Sequence, residues 1–168
     1  MSLYRLLAVI AAAAFFAGGA YSLTDAQAQA VTSRTITATL VGADGKQAGN
    51  VQLTQDASGK VTVIVGVSGL KPGQHGIHIH AVGICEAPGF ATAGGHFNAA
   101  AKAHGLSNPQ GHHSGDLPNL TAEANGTARY EQVTSDITFA DGATNSIFDA
   151  DGSALVIHAD PDDQVTDP

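Results

Sequence analysis

The chain is poor in cysteine and in positive charge. It has one cysteine in 168 residues, Cys85, so a disulfide framework closed within the chain is excluded. Seven lysines and arginines stand against fifteen acids, a net charge of -8, which argues against nucleic acid as a partner. There is no internal repeat and no amphipathic helical pattern. The longest uncharged run, Leu6 to Leu23, is about 18 residues and rich in Ala and Gly, at the short end of what a bilayer of about 30 Å needs.

That run follows Arg5 and is followed by Ala28-Gln29-Ala30, a small-x-small cleavage site. Residues 1–30 therefore read as a secretory signal peptide rather than a retained membrane anchor. Neither a twin-arginine pair nor a cysteine after the cleavage site is present to redirect it. The expectation is an exported protein, periplasmic or extracellular, with no stable membrane anchor. Residues 31–168 then form one domain of ordinary size.

From Arg34 onward the pattern is β. Thr35 to Val41 and Val61 to Val67 alternate, and Asn50 to Thr54, Gly126 to Val133, Asp136 to Phe139 and Ser153 to Ala159 are further strand candidates. Asp-Gly and Asn-Gly pairs, such as Asp44-Gly45 and Asn125-Gly126, mark tight turns. The fold class is all-β, an antiparallel Greek-key sandwich or barrel. Gly83 to Ala124 shows no strand pattern, and so long a loop in a small domain needs something to organise it.

Histidines supply a reason. Seven of the eight lie between His75 and His113. His78 and His80, at i and i+2 on a strand, would share one face about 6.6 Å apart, with Ile77 and Ile79 turned into the core. An isolated pair of this kind also fits a polar surface strand. The loop adds His96, His104, His113 and Asp116, and His158 follows from a distant strand; imidazole and carboxylate sets of four suit tetrahedral metal. Solvated loop histidines explain any one of these but not all. By strand parity His75 faces away from His78 and is structural, His112 is solvent-facing, and Asn119 and Asn125, though each opens an Asn-x-Thr sequon, are turn residues.

The segments Gly76-Ile77-His78-Ile79-His80, Gly94-Gly95-His96-Phe97-Asn98, His104-Gly105, His113-Ser114-Gly115-Asp116-Leu117-Pro118 and Leu155-Val156-Ile157-His158 resemble the copper/zinc superoxide dismutase family, in particular its exported bacterial type. The resemblance runs in order from about Thr35 to the C-terminus. It implies copper on His78, His80, His96 and His158, and zinc on His96, His104, His113 and Asp116. The shared His96 would be the catalytic ring, bridging both ions and passing a proton to the forming peroxide while copper cycles between two oxidation states. Asp162 would hold His78 and His104; its alternative is one more solvated acid in an acidic stretch.

Family members continue with a last strand bearing an arginine beside the copper and a cysteine that pairs with the loop cysteine. No basic residue follows Arg129 here, and Cys85 has no partner in the sequence. The expectation is a domain incomplete at its C-terminus, with open sheet edges, weak folding without metal and self-association, a homodimer being one form of it. Superoxide is the expected substrate, with turnover below the family's level. The competing expectation is a non-catalytic exported copper- and zinc-binding protein.

Overall fold

The computed structural model describes residues 33–167; the segment read as a signal peptide lies outside them. Eight strands are present among the described residues: β1 (Arg34–Val41), β2 (Gln47–Gln55), β3 (Val61–Val67), β4 (Gly73–His75), β5 (Ile77–His80), β6 (Leu120–Ala122), β7 (Ala128–Thr134) and β8 (Ala154–Ile157). A single 3-10 turn, Ala91–Ala93, is the one helical element among them, and no described helix is long and apolar enough to cross a membrane.

Alternation decides β3. Val61, Val63, Val65 and Val67 are buried while Thr62, Ile64 and Gly66 turn outward, and the same period places Val51 and Leu53 of β2 inside. Each such side chain contributes about 1.5–3 kcal/mol on burial. The turns behave as their sequences dictate: Gly45 and Gly126 sit at φ 75° and 78°, which favours a residue without Cβ.

All ladders are antiparallel. One sheet runs β1-β2-β3-β7; β4 pairs with β6, and β5 with β8. The core lies between these units, with Ile77 and Ile79 meeting Val63, Val65, Leu120 and Ile137 in one cluster. The four-stranded sheet hydrogen-bonds to neither strand pair, so the arrangement is an open sandwich and not a closed barrel. A cavity of about 640 Å³, largely apolar, lies between the outer edge of β1 and β8, walled by Leu40, Val51, Val67, Leu155 and Ile157.

Two expectations need correction. Asp136 to Phe139 is not a strand: Ile137 and Phe139 are buried as the alternation requires, but only Thr138 makes a bridge, to Ser146. Burial periodicity without a backbone partner gives an extended segment alone. Conversely, β6 falls inside the segment where no strand pattern is visible, because three residues are too few to display a period.

Candidate metal centre

β5 sets the geometry. Its residues are buried on both faces: Ile77 and Ile79 enter the core, while the rings of His78 and His80 lie opposite with centroids 6.4 Å apart. His158, just past the end of β8, reaches the same place because β8 pairs with β5 in register, Ile157 opposite Ile77.

The loop is seated on β5 by backbone contacts that only glycine permits. Gly115 accepts from the Ile79 amide at 2.9 Å and donates to the Phe97 carbonyl at 2.8 Å, and Phe97 donates to Ile79 at 2.8 Å. A Cβ on Gly115 would stand 2.2 Å from the Ile79 carbonyl oxygen. This close approach brings His96 beside His80 and Asp116 beside His78 as isolated bridges.

Four histidines, His78, His80, His96 and His158, each offer one donor atom within 4.8 Å of the others, and so do His78, His96, His104 and Asp116. The first set is the predicted copper group. The second differs from the predicted zinc group by having His78 where His113 was expected, because the His78 ring stacks on His96 with centroids 3.9 Å apart. His113 is nonetheless adjacent, its ring centroid 5.5 Å from that of His96 and 5.3 Å from that of His104.

Asp116 Oδ1 faces three Nδ1 atoms: His104 at 3.1 Å, His96 at 3.2 Å and His113 at 3.6 Å. A tetrahedron with metal–ligand bonds of about 2.0–2.1 Å has edges of about 3.3–3.4 Å. The donor set therefore has the size of a zinc site. Oδ2 is already committed, accepting the amides of Gly105 at 2.8 Å and His113 at 3.0 Å. Burial opposes ionisation of Asp116, but the bond with His96 and these two amides outweigh it and hold the carboxyl well below the usual range.

Tautomers are fixed from behind. His78 Nε2–H donates to Asp162 at 2.7 Å and His80 Nδ1–H to the Gly94 carbonyl at 2.8 Å, which leaves one bare nitrogen on each ring. The Nε2 atoms of His80 and His158 then face each other at 3.4 Å. His78 Nδ1 and His113 Nδ1 are buried with no hydrogen-bond partner among the described residues. Such orphaned acceptors are costly unless something occupies them. Burial, with a contribution from His96, pushes His78 down to about 4, and burial also lowers His80, His113 and His158. His104 is raised: burial opposes this, but its contacts with Asp162 and Asp116 prevail. The lowered values of His78, His80, His113 and His158, and the ionised Asp116, favour the protonation states that divalent metals require, whereas His104 must give up a proton to bind one.

Asp162 bridges His78 and His104, accepting the latter's Nε2–H at 3.0 Å, so it is not a solvated acid. Asn119, read as a turn residue, instead grips Asp162: its Nδ2 donates to the Asp162 carbonyl at 2.8 Å and its Oδ1 accepts the Asp162 amide at 3.0 Å. No local pattern signals that role, since the partners lie far apart in sequence. Asn125 is the turn residue expected, accepting from Thr127. His112 is half-exposed and contacts Asp136 at 3.2 Å, outside the cluster. Cys85 is a free thiol among the described residues, its ionisation pushed up by burial.

Residues 47–168 match the family described as copper/zinc superoxide dismutase. The chain is 41% identical over 132 residues to a Cu-Zn superoxide dismutase of Aquifex aeolicus, covering 78% of this chain and 78% of that one. It is 44% identical over 135 residues to that of Caulobacter vibrioides, covering 79% and 76%. Among solved structures, a SOD-like protein from Bacillus subtilis superposes with a TM-score of 0.75 at 38% identity, covering 79% of this chain and 88% of that one. The Cu/Zn superoxide dismutase from Brucella abortus gives 0.59 at 27% identity, covering 82% and 90%.

Proposed function

The chain belongs to the copper/zinc superoxide dismutase family, and from that premise we propose that it disproportionates superoxide to dioxygen and hydrogen peroxide. Copper would be held by His78, His80, His96 and His158, and zinc by His96, His104, His113 and Asp116. The observation that carries this reading is the convergence of two donor sets on one ring, His96. Bound copper supplies one-electron redox chemistry, and bound zinc supplies charge and a fixed scaffold.

The protein's own groups have distinct tasks. His80 is oriented by the Gly94 carbonyl and His78 by Asp162, so each presents a bare nitrogen without reorganising. His96 turns Nδ1 towards Asp116, which leaves Nε2 to hold a proton and hand it to the product oxygen. Asp162 ties one ring of each set to a single carboxylate.

Turnover is reduced in this reading. Among the described residues the cavity onto His78, His96, His104 and His158 is lined by Asp160, Asp162, Asp163 and Asp167 and by no lysine or arginine, so the side chains at its mouth offer an anion no steering beyond the charge of the bound metals. The same feature favours a second reading, a copper- and zinc-binding protein without turnover; one Bacillus subtilis relative, 38% identical, is named only as superoxide dismutase-like. The proposal also includes export to the periplasm or exterior through residues 1–30, and a homodimer that covers open sheet edges.

Superoxide decay measured against copper content decides between the two. Many superoxides consumed per copper, lost in His96→Ala, supports the dismutase. Binding of both metals with decay no faster than the uncatalysed rate leaves the second reading.

A further inference from the structure

Three rings of the centre, His78, His80 and His104, are backed by an oxygen within hydrogen-bond reach. His113 is not. Its Nδ1 is buried without a partner among the described residues and lies 3.6 Å from Asp116 Oδ1. Its Nε2, across the ring, lies 3.7 Å from the carboxylate of Asp167.

Asp167 is held where it can serve both flanks of the loop. Its Oδ1 accepts the main-chain amide of His104 at 3.1 Å, across 63 positions of sequence. The segment that carries it lies along the turn after His104. The Ser107 amide donates to the Gln164 carbonyl at 3.0 Å. Asn108 Nδ2 donates to the His104 carbonyl at 2.9 Å and to the Val165 carbonyl at 3.0 Å. Gly105 permits this approach, since a Cβ there would stand 2.1 Å from the Gln164 carbonyl oxygen. One carboxylate oxygen thus grips the main chain of one predicted zinc ligand and faces the ring of another.

At 3.7 Å the contact with His113 is longer than a hydrogen bond and acts through charge. With a metal on Nδ1, Nε2 must carry the ring proton, and that N–H becomes more positive. Asp167 is the anion facing it.

We propose that Asp167 is a positioning residue for the zinc set: it holds the main chain of His104 and backs the ring of His113, so that both can share an ion with Asp116. The proposal rests on the reading of His113 as a zinc ligand. Supports behind a ligand are worth about 10–100-fold in metal affinity. The side chain of Asp167 is 69% exposed, which places it at the low end of that range. The copper set is the internal control, because the hydrogen bond and the charge contact go to His104 and His113 and neither reaches His78, His80 or His158.

The test uses the full chain as wild type, Asp167→Ala, Asp167→Asn and His113→Ala, with cobalt(II) standing in for zinc. Cobalt(II) affinity and visible absorption report the zinc set; copper(II) affinity and electron paramagnetic resonance spectrum report the other. In Asp167→Ala cobalt affinity should fall about 10-fold with shifted bands, while copper affinity and spectrum stay as in wild type. Asp167→Asn keeps an oxygen for the His104 amide but loses the charge, so it should fall between the two. In about 1 M salt, where the Debye length is about 3 Å, the gap between wild type and Asp167→Asn should narrow. The gap between Asp167→Asn and Asp167→Ala, which is one hydrogen bond, should remain.

Wild-type cobalt affinity and bands in both Asp167 variants overturn the proposal. So do parallel losses of cobalt and copper, which would make the effect a general loosening, and a gap between wild type and Asp167→Asn that ignores salt. If His113→Ala binds cobalt as wild type does, the ligand reading itself fails and this proposal with it; if His113→Ala loses cobalt while the Asp167 variants do not, only the proposal fails.

Discussion

The Nε2–H of His78 donates to Asp162 Oδ2 across 2.7 Å, although 84 residues separate the two along the chain. The other oxygen of the same carboxylate takes His104 Nε2–H at 3.0 Å. Replacing Asp162 by Ala removes both supports and leaves two buried N–H groups unpaired. Copper and zinc affinities should both fall by about 10–100-fold, read by chelator competition for each metal in turn. A loss confined to one metal would show that the carboxylate serves only one ring.

Gly115→Ala should be among the most destabilising single changes in the loop. The added methyl meets the Ile79 carbonyl oxygen at 2.2 Å and Phe97 Cβ at 3.2 Å, and the Ile79 main chain cannot yield without breaking its strand. We expect a loss of about 3 kcal/mol in urea denaturation, with weaker metal binding, because the loop can no longer lie on β5. Gly45→Ala, with open space around it, meets no clash and should cost only the left-handed backbone strain of its φ of 75°, about 1–2 kcal/mol.

The metal-free chain should lose stability on mild acidification. His78 gives up its proton at about 4 when folded, against 6.5 for a free imidazole ring. The unfolded chain then binds more protons between those limits, so this contribution is complete above pH 6.5, declines as pH falls, and levels off below about 4. The gap corresponds to a loss of up to about 3 kcal/mol. His80, His113 and His158, also lowered by burial, act in the same sense, while His104 runs oppositely, its raised value favouring the folded state at low pH. Denaturant titrations between about pH 7 and 4 should show a gentler slope in His78→Leu than in wild type.

Metal removal should lower the melting temperature, since His78 Nδ1 and His113 Nδ1 are buried with no hydrogen-bond partner among the described residues. A metal present at about 1,000 times its Kd adds about 4 kcal/mol to stability. Calorimetry with and without copper and zinc measures it; identical transitions would sink the metal-centre reading.

How legible was all this in the sequence? Valine alternation in β3 and the glycine turns made the sandwich readable, because burial and backbone strain leave marks of fixed period. The i, i+2 spacing of His78 and His80 gave a separation of about 6.6 Å against the 6.4 Å observed between ring centroids. What stayed hidden depends on distant backbone: the hold of Asn119 on Asp162, the engagement of His75 with two carbonyls, and the pairing of β6 with β4. Asp136 to Phe139 misled for the converse reason, since its apolar alternation records burial while saying nothing of a ladder partner.

The two amides on Asp116 Oδ2 have a bearing on ion choice. They leave this carboxylate one free oxygen, so it cannot clasp an ion with both. Calcium and magnesium want six or more oxygens, and the pocket answers with one oxygen and three ring nitrogens. Rejection of alkaline-earth ions is therefore written into two main-chain N–H groups, at positions where side-chain identity is silent.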